Sequence, residues 1–185
     1  MTDLLTPART RVDPVTQEIV RNLLIAILDE GEINLSRTAF SPIIYEVKDY
    51  CVGLLDCEGR TIAQSRGGIP TFMADLGEPV RDGIAIYGID GFEPGDVLLM
   101  NYAAICGQHL NNVVVYVPVH WHGALIGFAA TRAHWTDVGG RVAGSFSTDT
   151  TEIFQEGLHL RSIKIHKRGV PDEELMRVIR HNIRF

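Results

Sequence analysis

The sequence predicts an α+β fold: a mixed sheet, a long N-terminal helix and a β-hairpin that presents metal-ligand-type residues at its open end. Three observations predict it. Val15, Ile19, Leu23 and Ile27, with Val20, Leu24 and Leu28 beside them, repeat at helical spacing and describe a wide buried stripe. Short β-branched runs bounded by Gly, Pro and Asn recur through the middle of the chain. Two of these runs, 113–120 and 124–131, are separated by a turn at His122-Gly123 and so form a hairpin.

The elements follow in order. Residues 1–12 are polar and expected to be flexible, and 13–185 form one domain, long enough for a real core. Asp13-Pro14 is an N-cap followed by the first helical position, and the helix runs to about residue 37. Phe40-Ser41-Pro42 stops it, because a proline disfavours helix at the residue before it. Two short strands, 50–56 and 61–64, flank the turn Cys57-Glu58-Gly59-Arg60. Gly67-Gly68-Ile69-Pro70 is a loop, and a second helix covers 71–87, with Pro79 a place for it to split or restart. Pro94-Gly95-Asp96 turns into a strand at 97–101. After the hairpin, residues 135–157 are rich in Gly, Ser and Thr and read as a long covering loop. A strand near Ile163-Lys164-Ile165 and an amphipathic helix at 172–180 complete the chain. The exposed apolar Phe185 after that helix is expected to be covered by another chain or a continuation.

Composition excludes several classes. Charged residues are 22% of 185 and the net charge is −6, with no basic patch, so no nucleic-acid partner is expected. Apolar runs such as Val113-Val114-Val115-Tyr116-Val117 stop far short of the ~18 residues of a membrane span. Met1 to Arg11 carries no apolar h-region, which argues against a secretory signal. Cys51, Cys57 and Cys106 are an odd count without CxxC spacing, against both a disulfide framework and a cysteine zinc site. The simplest compartment is the cytoplasm.

The chemistry concentrates at the hairpin's open end. His109, in Gly107-Gln108-His109-Leu110-Asn111-Asn112, precedes one strand; His134, in Ala133-His134-Trp135-Thr136-Asp137-Val138-Gly139-Gly140, follows the other. Imidazole suits a mid-series divalent ion and carboxylate a harder one. Asp137, three residues past His134, could add an oxygen, and Asn112, three past His109, a weaker neutral one; alternatively each histidine is a satisfied polar loop residue. His120 and His122 flank Trp121 at the opposite, solvent-facing end, where HxH could pair on one face. Arg37 to Pro42 and Glu46-Val47-Lys48-Asp49 place polar groups between a helix and a strand, and Asp49 could point a carboxylate into a cleft or lie in a surface turn. Gly139-Gly140 and Gly144 could let backbone approach a ligand. Cys106 beside His109 is either a nucleophile or a small buried hydrophobe. Neither GxxxxGK[ST] nor GxGxxG occurs, so ATP or dinucleotide binding by this chain is not expected.

At these residues the chain resembles the hydantoinase B family, which includes the B-type subunits of hydantoinases, the C-terminal part of 5-oxoprolinase, caprolactamase and the alpha subunits of ketone carboxylases. The resemblance runs in order through Asp13-Pro14-Val15-Thr16, Arg37 to Pro42, Leu55-Asp56, Gly59-Arg60, Pro94-Gly95-Asp96-Val97, the His109 run, Leu125-Ile126-Gly127-Phe128, Ala133-His134 with Asp137 to Gly140, Glu152 to Leu158, and Ile179 to Arg184. It corresponds to the N-terminal third of such a protein, which implies a fragment or a split subunit of a larger hydantoinase B-type fold. Many members have aspartate where Asn112 stands, so this position departs from the pattern.

The resemblance implies a B-type subunit of an ATP-dependent cyclic-amide hydrolase that opens a hydantoin, 5-oxoproline or lactam ring. Its partner would be an A-type subunit that binds ATP, in a hetero-oligomer. A divalent metal (Mn, Zn or Fe) would sit on His109, His134, Asp137, Asp49 and Asn112, with Asp49 or Asp137 as general base. The alternatives are the alpha-type subunit of an ATP-dependent ketone carboxylase, and a non-catalytic assembly subunit.

Overall fold

The computed structural model describes residues 12–144 and 147–185, so the flexible stretch expected at 1–12 lies, except for Val12, outside the described residues. The chain order is α1 (Pro14–Thr38), α2 (Pro42–Tyr45), β1 (Tyr50–Leu55), β2 (Thr61–Gln64), α3 (Pro70–Ala74) and α4 (Gly77–Tyr87). Then come β3 (Val97–Met100), α5 (Ala103–Cys106), β4 (Asn112–Trp121), β5 (Ala124–His134), β6 (Ile163–Lys167), β7 (Val170–Pro171) and α6 (Glu173–Asn182). The strands make one sheet in the order β2-β1-β5-β4-β3-β6-β7.

The α+β class and the long first helix hold, but the sheet is not mixed: every ladder among the described strands is antiparallel. The reason lies in the connections. A parallel neighbour needs a crossover that returns the chain to the same end of the sheet. Here the hairpins β1–β2, β4–β5 and β6–β7 reverse direction at once, and the two longer excursions bring β3 and β6 in antiparallel as well.

The pleat sorts side chains between two layers. Leu98, Tyr116, Phe128 and Leu55 face one way and pack with Phe72 and Met73 of α3, Leu76, Val80 of α4 and Cys106 of α5. Leu99 and Val113 face the other way and pack with Val138, Leu160 and Ile179 of α6. The expected single helix at 71–87 is two: α3 ends at Asp75, and Pro79 sits harmlessly in the first turn of α4, where its missing N–H has no helical acceptor to lose. The asparagine Asn101 is wholly buried and ties the end of β3 to the segments before β4 and before β6. Its Nδ2 donates to the carbonyls of Leu110 (2.8 Å) and Leu158 (3.0 Å), and its Oδ1 accepts from Leu160 N–H (2.7 Å).

α1 lies along β1 and β2, capped by Asp13, whose Oδ1 accepts from Thr16 N–H at 3.0 Å. Its sequence predicts a buried apolar stripe; only Leu28 and Glu32 are buried. Glu32 is accommodated by Gly67 N–H (3.0 Å) and the Tyr50 hydroxyl (3.4 Å), and a Cβ at Gly67 would overlap its carboxylate.

α4 comes close to the sheet at Gly83, where a Cβ would overlap the buried Tyr116 hydroxyl. Gly83→Ala is expected to cost about 1–3 kcal/mol through overpacking, and Tyr116→Phe in the same chain to recover most of it in urea denaturation. A Gly83→Ala chain as stable as the parent would contradict this packing.

Candidate functional site

The hairpin does what its spacing predicts. His134, the last residue of β5, is paired in register with Asn112, the first residue of β4, so both side chains leave the same face. His109 arrives from α5: Gly107 takes a left-handed conformation (φ 65°) that ends that turn, and the His109 carbonyl accepts from Asn112 N–H at 3.2 Å. The His109 and His134 rings then stand with centroids 4.9 Å apart and planes inclined by 48°. Two imidazoles sharing a first-row divalent ion place their centroids about 5 Å apart, given a metal–nitrogen distance of about 2.1 Å and near-tetrahedral angles. The observed separation fits that requirement.

Two carboxylates act on the pair. Asp49 sits just before β1, its carbonyl accepts from His134 N–H at 3.0 Å, and its buried Oδ1 meets no hydrogen-bond partner among the described residues. Glu156 belongs to a 3-10 turn at Ile153–Glu156 and accepts from Leu110 N–H at 3.3 Å. Burial pushes the His109 pKa below its ordinary value, against the opposing charges of Glu156 and Asp49. Burial, with the neighbouring His109 ring, pushes His134 down as well, with Asp49 opposing. Both imidazoles are therefore held neutral near pH 7, the form that donates to a metal.

That depression has a stability consequence. Below the ordinary value of 6.5, the unfolded chain takes up protons at these histidines that the folded chain resists. The stability of metal-free protein is thus expected to be complete above about pH 6.5 and to fall on acidification through the lowered folded values. Thermal melts between pH 8 and 5 measure it; a His109→Gln/His134→Gln chain with the parental pH slope would show that other groups are responsible.

The remaining candidates fall into place. Asn112 is buried, its Nδ2 donates to Gln108 Oε1 at 2.6 Å, and its Oδ1 faces no hydrogen-bond partner among the described residues. Asp137 is committed elsewhere: one oxygen accepts from Arg184 N–H at 2.6 Å and the other from the Arg184 guanidinium. It anchors the segment after α6. Among the described residues, no three His, Cys, Asp or Glu side chains come together in a metal-holding group.

The glycines of the Asp137 run serve close packing within the protein. A Cβ at Gly139 would overlap the Asn182 carbonyl, and one at Gly140 the Glu156 carbonyl. Burial raises the Cys106 thiol to about 11, which removes it as a nucleophile. His122, with φ 48°, makes the hairpin turn beside Trp121, at the far end from His109 and His134. The stretch after α1 lines a cleft of about 660 Å³ with Trp135, Thr136 and Phe185, and Thr136 Oγ1 donates to Ser41 Oγ at 3.1 Å.

Sequence reasoning missed Glu156. Its run, Glu152 to Leu158, carries part of the resemblance, yet nothing in its spacing shows that the covering loop returns it to His109. Asn101 was missed for the same reason: its three partners lie at Leu110, Leu158 and Leu160.

With this geometry in hand, comparisons place the chain. The family model described as hydantoinase B/oxoprolinase matches residues 13–185. The chain is 30% identical over 182 residues to the B-type subunit of a putative D-/L-hydantoinase from Pseudomonas sp. (strain NS671), covering 94% of this chain and 30% of that protein. It is similar to the crystal structure of ATP-dependent caprolactamase from Pseudomonas jessenii, with TM-score 0.85 and 30% identity, over 94% of this chain and 30% of that one. It also superposes on the nucleotide-free structure of acetone carboxylase, with TM-score 0.85, 20% identity, and coverage of 93% and 23%. At that identity the likeness speaks to fold alone. The chain spans about three-tenths of the length of three of the curated relatives it matches and 13% of the 5-oxoprolinases. Over nearly its whole length, this chain belongs to the hydantoinase B/oxoprolinase family.

Proposed function

We propose that this chain supplies the metal-holding site of a B-type subunit in an ATP-dependent cyclic-amide hydrolase, working with an A-type subunit that binds ATP. The observation that carries the reading is the pair of neutral-leaning imidazoles, His109 and His134, 4.9 Å apart at the end of β4 and β5. Two relatives at 30% identity are named for hydantoinase and caprolactamase, which favours ring hydrolysis over carboxylation.

In this reading His109 and His134 would hold a divalent ion (Mn, Zn or Fe), with Asn112 Oδ1 as a neutral third donor. Bound there, such an ion would lower the pKa of water at neutral pH. Asp49, whose Oδ1 has no hydrogen-bond partner among the described residues, would take a proton from a water adding to the phosphorylated amide carbon. C–N cleavage would then open the ring, the nitrogen leaving protonated, and a second water would release phosphate from the resulting acyl phosphate. Glu156 stands beside His109 and accepts from the Leu110 backbone N–H. Asp137 has no part in the chemistry, because Arg184 occupies both of its oxygens. The A-type partner activates the amide oxygen by phosphoryl transfer from ATP.

The test is ADP release by the chain co-purified with its A-type partner, offered hydantoin, 5-oxoproline and caprolactam with and without bicarbonate. Ring opening coupled to ADP release and indifferent to bicarbonate is expected. Turnover that needs bicarbonate and a ketone, or no response to any cyclic amide, would overturn the reading.

A further inference from the structure

The first half of α1 stands off the body of the protein. Every side chain from 12 to 23 is exposed. Val15, Ile19, Leu23 and Ile27 follow at four-residue intervals along one row of the helix and are 68%, 55%, 58% and 59% exposed. Val12 and Val20 widen the row. The polar stabilisation along this stretch is local to the helix: the Asp13 cap, an exposed Glu18–Arg21 pair at 3.4 Å, and Asn22 Nδ2 donating to the Glu18 carbonyl and Oε1 at 3.0 Å each. A helical segment of this length is marginal in water without a tertiary partner, in the range below ~12–15 residues. An amphipathic pattern with its apolar face in solvent is the mark of a contact surface.

We infer that this projecting arm is the seat of the rest of a hydantoinase B-type fold, whether joined to this chain or supplied as a separate polypeptide. The inference rests on family membership and is independent of the metal reading. Two observations choose this occupant. The family match begins at Asp13, the cap of α1, so the arm belongs to the shared fold. The relatives carry the matched region as only 31% and 30% of their length, so most of the same fold is available to cover it.

Area argues against a second copy of this chain. Six aliphatic side chains, each about half to two-thirds exposed, present roughly 500 Å², the size of a typical functional patch. That is short of the ~800 Å² per partner of a self-sufficient interface. It suits one part of a domain–domain contact, which buries about 600–1,500 Å².

The test co-expresses the full chain with the beta chain of Pseudomonas jessenii caprolactamase from which the matching region has been deleted. A one-to-one complex is expected by light scattering, with hydrogen exchange across 14–27 slowed at least tenfold relative to the chain alone. Ile19→Glu/Leu23→Glu should release the partner and leave the melting temperature of the chain's own body unchanged. If the truncated partner does not fold, exchange is read in the intact caprolactamase at the matching helix, where slow exchange supports the inference and fast exchange overturns it. Self-association of this chain through the arm, or a complex in which the arm exchanges as fast as when free, also overturns it.

Discussion

His134→Ala is expected to lower divalent-metal affinity about a hundredfold, roughly 2.7 kcal/mol, and to abolish ATP-coupled turnover with it. The variant leaves one imidazole and the neutral Asn112 oxygen, a donor set that holds a mid-series ion poorly. Metal content after dialysis, and calorimetric titration with Mn or Zn, measure the loss. His120→Ala, on the same hairpin near its opposite end, is the control and should match the parent. Asn112→Asp is the converse. A carboxylate there, opposite His134 in the ladder, adds a negative donor and should tighten binding by roughly tenfold or more. The same change should destabilise the metal-free chain, since Asn112 Oδ1 lies buried with no donor to receive a charge. Unchanged metal content in His134→Ala would sink the metal-site reading.

Asp75→Ala is expected to be the most damaging single change to stability. Arg132, on β5 two residues before His134, is wholly buried, and its Nη1 donates to Asp75 Oδ1 at 2.6 Å. Among the described residues its Nε and Nη2 meet no hydrogen-bond partner, and the guanidinium lies 5.6 Å from the Phe72 ring centroid. Removing Asp75 leaves a buried cation uncompensated, which costs about 3–5 kcal/mol. The Asp75 side chain is 29% exposed, so solvent screening places the expected loss near the lower end, about 3 kcal/mol. For a chain of this size that is roughly 6–12 °C in melting temperature. Replacing both partners with apolar residues, Arg132→Met with Asp75→Leu, should recover most of it, because no unpaired charge remains. A loss below about 1 kcal/mol for Asp75→Ala would show that the pair contributes little.

Much of the fold was legible because periodicity and turn chemistry are local. The Asp13-Pro14 start, the break at Pro42, the Cys57 to Arg60 turn and the hairpin reversal at His122-Gly123 all stand where the residues place them. Three features were not legible. The short turns α2 and α5 are too brief to carry a period. The antiparallel order of the sheet depends on how long connections return, which no local pattern encodes. The exposure of Ile19 and Leu23 contradicts the burial that their spacing predicts, because spacing reports an apolar face and not what covers it.

The candidate site divides along the same line. The sequence by itself indicated that His109 and His134 would lie close: a hairpin reverses the chain, so a residue just before its first strand and one at the end of its second share its open end. Only the tertiary structure decided which carboxylates attend them. Asp137, three residues from His134, turns to Arg184, while Glu156 is returned beside Leu110 and His109. A strand's register fixes the direction of each side chain along the ladder. A carboxylate in a loop goes to whichever donors the folded chain packs against it, and those lie far away in sequence.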